Sequence, residues 1–177
     1  MKIVNNRFLN YCVELLHTYP SIDETLQTNL ETKLTCGMIE IHGCFLFQQH
    51  AEGYSGIQEF AGQCVSSEDK IFFELDHNEM CMLDYGFAHT GMYSKRDATK
   101  AFSMGITTSY RLAKMLQSRG RFRIIHSFGY DLLNGTISSY ISFNKVRDDQ
   151  PDWVNYLRDE INGMMVILTG LENQVKE

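Results

Sequence analysis

The pattern of apolar residues points to an α+β fold, a mostly antiparallel sheet with helices packed on it and a helical hairpin at the N-terminus. Two stretches of helical apolar spacing open the chain in succession. Later, paired apolar runs are joined by turn-prone residues. Such hairpins outnumber strand–helix–strand crossovers, which sets the strands antiparallel.

Phe8, Cys12, Leu15, Leu16 and Tyr19 fall on one helical face, and Pro20 ends it, so the first helix spans about residues 5–18. Ser21 and Glu24 then form a capping box ahead of a second stripe, Ile22, Leu26, Leu30 and Leu34, which Gly37 closes. From Met38 to Gln49, Ile39, Ile41, Phe45 and Phe47 share one parity, which predicts a strand bulged at Gly43. Tyr54, Ile57, Phe60, Ala61 and Cys64 return to helical spacing. The runs 71–75 and 80–85 flank Asp76-His77-Asn78-Glu79 and predict a β-hairpin. Ser94 and Asp97 cap a helix reaching about Ser118, kinked or split at Gly105 and stopped by Gly120. Phe122, Ile124, His126 and Phe128 alternate, as do Ile137, Ser139, Ile141 and Phe143. Asn134-Gly135 between them predicts a two-residue type I′ turn, whose central residues both need positive φ. Pro151 starts a helix bearing Trp153, Val154, Leu157 and Ile161. Gly163 ends it, and Met164 to Leu168 reads as a buried strand.

A chain of 177 residues without a Pro/Gly/Ser-rich linker or repeat is expected to form a single domain over 1–177. Its 44% apolar content is that of a globular protein, not a disordered one. The N-terminus lacks the apolar run and cleavage site of a secretory signal, and no apolar run is long enough for a membrane span. Cys12, Cys36, Cys44, Cys64 and Cys81 make an odd set without framework spacing, which suits reduced thiols. The expectation is a cytoplasmic protein with no membrane partner.

Motifs that carry chemistry are sparse. Neither a phosphate loop nor a dinucleotide fingerprint occurs. Gly53-Tyr54-Ser55-Gly56 lacks the final glycine of a nucleophile elbow, because Ile57 stands there. Cys36, His42, Cys44 and His50 supply zinc-type ligands at a spacing unlike the usual knuckles, and buried thiols with polar-tipped histidines are the plainer reading. His77 beside Asp76, His89 near Asp84, and His126 or Tyr130 on an apolar strand are the candidates for a small enzyme or ligand site assembled from distant residues. No cofactor and no catalytic residue is assigned.

Charge is polarised along the chain, whose net charge is -6. Eight bases lie between Lys95 and Arg123, among them Arg119, Arg121 and Arg123, with Tyr93, Tyr110 and Phe122 as stacking residues. That stretch is the candidate for an anion or nucleic-acid contact. The acidity of the whole chain and the absence of a nucleic-acid motif make a solvated helix face the better reading. Six acids lie between Glu68 and Asp84. Asp69, Glu74, Asp76, Glu79, Asp84 and Tyr85 are the candidate partner-binding residues, because clustered carboxylates beside a tyrosine suit a basic protein. A solubilising sheet edge is the competing explanation.

In size, acidity and mixed make-up, and in the opening run Asn5 to Leu16, the chain resembles the immunity proteins of bacterial contact-dependent growth inhibition systems. The resemblance is at the level of the class, and no residue roles follow from it. It implies a non-enzymatic protein, monomeric without its partner, that binds and neutralises a cognate toxin domain. That toxin domain is expected to be basic and often a nuclease. One docking mode it implies is addition of a toxin hairpin at a sheet edge.

Overall fold

The computed structural model describes residues 2–16, 24–85, 87, 92–131, 133–148 and 162–170, with the side chains of 2–3 and 24–29 excepted. Along these the chain runs β1 (Lys2–Val4), α1 (Asn6–Leu16), α2 (Glu24–Thr35), β2 (Met38–Ile41), β3 (Cys44–Phe47), α3 (Gln48–Gly53), α4 (Ile57–Gln63), α5 (Ser67–His77), β4 (Met80–Cys81), a 3-10 turn (Met82–Asp84), α6 (Lys95–Leu116), β5 (Phe122–Asp131), β6 (Thr136–Lys145) and β7 (Gly163–Leu168). This is an α+β fold with antiparallel sheets. The larger sheet has the order β1-β7-β5-β6-β4, and β2 and β3 form a second sheet of two strands. Among the described residues, no helix is long and apolar enough to cross a membrane. The Ser21 capping box and the helix beginning at Pro151 fall outside the described residues.

Strand alternation builds the core. Phe122, Ile124, His126 and Phe128 on β5 and Ile141 and Phe143 on β6 point inward, against Phe102, Leu112 and Leu116 of α6. The helix α6 starts at a capping box, Ser94 Oγ accepting from Asp97 N–H and Asp97 accepting from Ser94 N–H. It runs unbroken through Gly105, so the helix is not split there. At that position a Cβ would stand 2.2 Å from His126 Nε2, and the glycine lets strand and helix close on one another. On the other side of β5, Asn5 ties α1 to β7. Its Oδ1 accepts from Phe8 N–H at 2.9 Å and from Met164 N–H at 3.0 Å. At Gly163 a Cβ would lie 2.9 Å from Phe8 Cα, so the same crossing needs glycine. The helix α1 packs mainly on β7 and α6. Both N-terminal helices form, but residues 17–23 between them are not described, and a helical hairpin is not shown.

Three local expectations are corrected. The bulged strand over 38–49 is a hairpin followed by a short helix. His42 and Gly43 both have positive φ, 48° and 80°, and Ile41 faces Cys44 across a two-residue turn. The Asn134-Gly135 turn is longer than expected, because Asp131 pairs with Thr136 and four residues lie between them. There Asp131 Oδ1 accepts from Leu133 N–H, Asp131 Oδ2 accepts from Asn134 Nδ2, and of the described loop residues only Gly135 has positive φ. The expected hairpin over 71–85 is mostly the helix α5, started by a second capping box in which Ser66 and Asp69 exchange hydrogen bonds. Strand β4 follows it and pairs with β6 at Ile141 and Tyr140.

Two polar residues, Glu74 of α5 and Asn78 at its C-terminal cap, join the small sheet to the large one. In a two-residue hairpin the residues at every second position turn their backbone groups away from the partner strand. Phe45 and Phe47 are those positions in β3. Phe45 N–H donates to Glu74 Oε1 at 2.7 Å, and Phe47 N–H donates to Asn78 Oδ1 at 3.1 Å. Asn78 Nδ2 donates to Phe45 O at 2.8 Å and to Phe143 O on β6 at 3.1 Å. Lys145 N–H on β6 donates to Glu74 Oε2 at 3.0 Å. Arg147 completes the set by donating to both oxygens of Glu74, at 2.7 and 3.0 Å, and to Gly43 O at 2.7 Å. Each carboxylate oxygen therefore accepts two hydrogen bonds, which fills its lone pairs.

Candidate functional site: an acid-rimmed aromatic cleft

Helices α4 and α5 pack on the small sheet through Ile57, Ala61 and Ile71, all buried. Their outer faces, and the turn before α4, carry large aromatic residues that this packing leaves uncovered. Tyr54 is 48% exposed, Phe60 49% and Phe72 54%. With Phe73 they line a cleft of about 590 Å³, and Asp69 and Asp76 stand in its wall. Asp69 sits in the first turn of α5, where the hydrogen bonds from Ser66 hold its carboxyl below the usual carboxylate range. Asp76 lies near the other end of the helix and is exposed. Glu79 follows, its carboxyl pushed up by partial burial and by the charge of Asp76. Carboxylates thus flank the aromatic patch at both ends.

His77 also lines this cleft, and Tyr54 is shared with a second one. The His77 ring stacks on Phe73 with centroids 4.1 Å apart and meets Tyr54 and His50 edge-on at 5.7 and 5.6 Å. Its Nδ1 lies 3.0 Å from Phe73 O and 3.5 Å from Asp76. Donation to the carbonyl occupies that nitrogen, so Asp76 and His77 do not make a general-base pair. The second cleft, about 530 Å³, is lined by Lys33, Gln49, His50, Tyr54 and Tyr85.

The five acids and the tyrosine expected to meet a partner are therefore divided. Asp69 and Asp76 line the first cleft and Tyr85 the second, while Glu79 and Asp84 are exposed nearby. Glu74 has no exposure at all and belongs to the core network described above. Its carboxyl is pushed up by burial, against the pull of Arg147 and two backbone N–H groups. It cannot present a charge to a partner. Phe60 and Phe72 are not among the expected site residues, and for Phe72 the signal was the capping box Ser66-Ser67-Glu68-Asp69. Reading α5 as a helix from that box would have put Phe72 opposite Ile71 and Glu74.

The other candidate groups do not converge. Cys36 ends α2 and is exposed, His42 sits in the β2–β3 turn, Cys44 is buried, and His50 is on α3. Burial pushes the Cys44 thiol up to about 12. Among the described residues no group of three or more such side chains is placed to hold a metal ion. Ser55 lies exposed at a turn, and His89 is not among the described residues. Tyr130 donates to Glu14, and burial together with that carboxylate pushes its hydroxyl up.

His126 is fully buried among Phe8, Phe102 and Phe128. Ser139 Oγ gives its one proton to Ala101 O, so it accepts from His126 Nε2 at 3.3 Å, and Nδ1 has no partner among the described residues. Burial depresses the ring to about 3. The folded protein therefore keeps His126 neutral while the unfolded chain takes up a proton near pH 6.5. Stability is expected to fall as pH drops from about 6.5 toward about 3, by up to about 1.4 kcal/mol per pH unit from this ring. Urea denaturation from pH 4 to 6 checks this. His126→Leu should remove about one proton from the slope, and an unchanged slope would refute it.

The bases of the 95–123 stretch are spread along α6 and past it, not gathered. Arg111 pairs with Glu31 at 2.7 Å, Arg121 with Asp148 at 3.3 Å, and Lys95 with Glu14 at 3.8 Å. Lys100 lies over the Phe87 ring at 5.2 Å.

Comparison with protein-family models, with curated proteins and with solved structures finds no match.

Proposed function

We propose that this chain is a binding protein of the immunity type, which neutralises a basic toxin domain by docking it on the cleft between α4 and α5. The observation that carries this reading is the cluster of half-exposed Tyr54, Phe60 and Phe72 with Asp69 and Asp76 in the same wall. Contiguous exposed aromatic surface marks an interaction site more often than a solvated face, and tyrosine and phenylalanine are enriched where interfaces gather their energy. Carboxylates at the rim speed encounter with a cationic partner and reject acidic ones. A nuclease domain is cationic where it grips its own substrate, so the same acids that attract it also cover the surface it needs.

The contact is a helical face, not an added strand. The acidic segment expected to offer a hairpin edge is mostly the helix α5, and the outward edge of β3 is already hydrogen-bonded to Glu74 and Asn78.

The test is titration calorimetry of the full chain against the toxic domain encoded by the neighbouring reading frame, with protection of growth as the second readout. Tight one-to-one binding that weakens with salt is expected. Phe60→Ala and Phe72→Ala should each weaken it at least about tenfold through faster dissociation, whereas Asp69→Asn and Asp76→Asn should mainly slow association. Binding that survives loss of both phenylalanines would remove the docking face, and no binding to that domain would remove the reading.

A further inference from the structure

We propose that the cleft beside Lys33 is a binding site for a small aromatic anion, a flat ring bearing a phosphate or carboxylate group. It shares only Tyr54 with the docking face, and it does not depend on that face having a partner.

Lys33 leaves α2 with its ammonium 5.8 Å from the centroids of both Phe47 and Tyr85. The two ring faces attract the cation without neutralising it. Among the described residues no carboxylate is in ion-pair contact with it. A partly buried cation that opens on a cleft of about 530 Å³ is placed to be completed by an anion from solution, and that volume is typical of small-molecule sites.

The other walls select the kind of anion. His50 is kept neutral by burial and by the neighbouring His77 and Lys33, so it offers a hydrogen bond and no second charge. One cation suits a single compact anionic group, not a polyanion. Gln49 adds an amide, and Tyr54 and Tyr85 line the cleft with aromatic surface. Tyr54 is half exposed and stacks near-parallel on His50, with centroids 6.3 Å apart, which fixes its ring as a platform for a second flat ring. Asp84 lies within Coulombic range of Lys33 and opposes an incoming anion. It is exposed, so its effect is modest and screened by salt.

Phenyl phosphate, inorganic phosphate and phenol separate the contributions of ring and charge. Each is titrated into the full chain and followed by the backbone amide NMR shifts of Gln49, His50 and Tyr85. Phenyl phosphate should saturate these shifts at millimolar concentration or below, at least about tenfold more tightly than either fragment. Lys33→Met should weaken phenyl phosphate about tenfold and leave phenol unchanged. The absence of saturable shifts at about 10 mM phenyl phosphate, or an affinity unmoved by Lys33→Met, would overturn the proposal. Should Lys33→Met fail to fold, Asp84→Asn provides the decision from the surface. Phenyl phosphate should then bind about threefold more tightly in low salt, and an unchanged or weaker affinity would overturn the proposal.

Discussion

Glu74→Ala is expected to cost about 3–5 kcal/mol, a large share of the roughly 5–15 kcal/mol that holds an ordinary domain folded. The loss is large because the carboxylate is the single acceptor for four donors. Two are the backbone N–H groups of Phe45 and Lys145, and two belong to Arg147. Removing it takes the acceptor from all four N–H groups and the counter-charge from a guanidinium that is itself only 14% exposed. Arg147→Ala should be of similar severity, since it leaves a carboxylate with no exposure and no counter-charge. The double variant should lose clearly less than the sum of the two, because each single change already abandons the pair. Chemical denaturation of the four proteins checks this. A loss below about 1 kcal/mol for Glu74→Ala would mean the network is not desolvated as described. The same change should abolish partner binding, because Glu74 sets the position of α5, and α5 carries Asp69, Phe72 and Asp76.

Gly105→Ala is the second large effect, and its sign opposes helix propensity. In the interior of a solvated helix, glycine to alanine gains about 1 kcal/mol. Here the added methyl meets the His126 ring at 2.2 Å, with Phe8, Phe102 and Phe128 around that ring leaving it nowhere to move. A net loss of about 1–3 kcal/mol is expected. Shrinking the ring should reverse the sign. In a His126→Ala background, Gly105→Ala should be neutral or stabilising, because the methyl then enters space the imidazole vacated. Thermal denaturation of the two singles and the double measures the coupling. Stabilisation by Gly105→Ala alone would show that α6 and β5 are not held as closely as the structure has them.

These two sites also show where reading along the chain succeeds and fails. The helix α6 was legible because its signals are local: Ser94 and Asp97 at the start, an apolar stripe, and Gly120 after the end. Strands β5 and β6 were legible because period-two alternation extends over ten residues in each. The helix α5 was misread because its inward face carries Glu74 and Asn78 where apolar residues are expected. With those two positions polar, Ile71-Phe72-Phe73 and Met80 to Leu83 look like short strands around a turn. The burial of Glu74 depends on Arg147, 73 residues further along, and on the unpaired backbone edges of β3 and β6. No local window contains that information. The turn at His42-Gly43 was missed for a smaller reason, histidine being an uncommon occupant of a left-handed position.

The candidate site divides in the same way. The acidic character of 68–84 is a property of composition, and it drew attention to the segment that forms α5. Which of those acids face solvent is a property of packing, and it removed Glu74 while leaving Asp69 and Asp76 beside Phe60 and Phe72. The aromatic cleft itself joins residues of α4 and α5 with Tyr54 from the turn before them, and these have no common periodicity.

Residue order alone settled the α+β class, the long β5–β6 pair and the start of α6, because capping, alternation and glycine act over a few neighbouring positions. Only the assembled molecule decided how the two sheets are joined, why Gly105 must lack a side chain, and which charged groups reach water. Those outcomes depend on desolvation and on contacts between distant segments, and both come into being when the chain closes on itself.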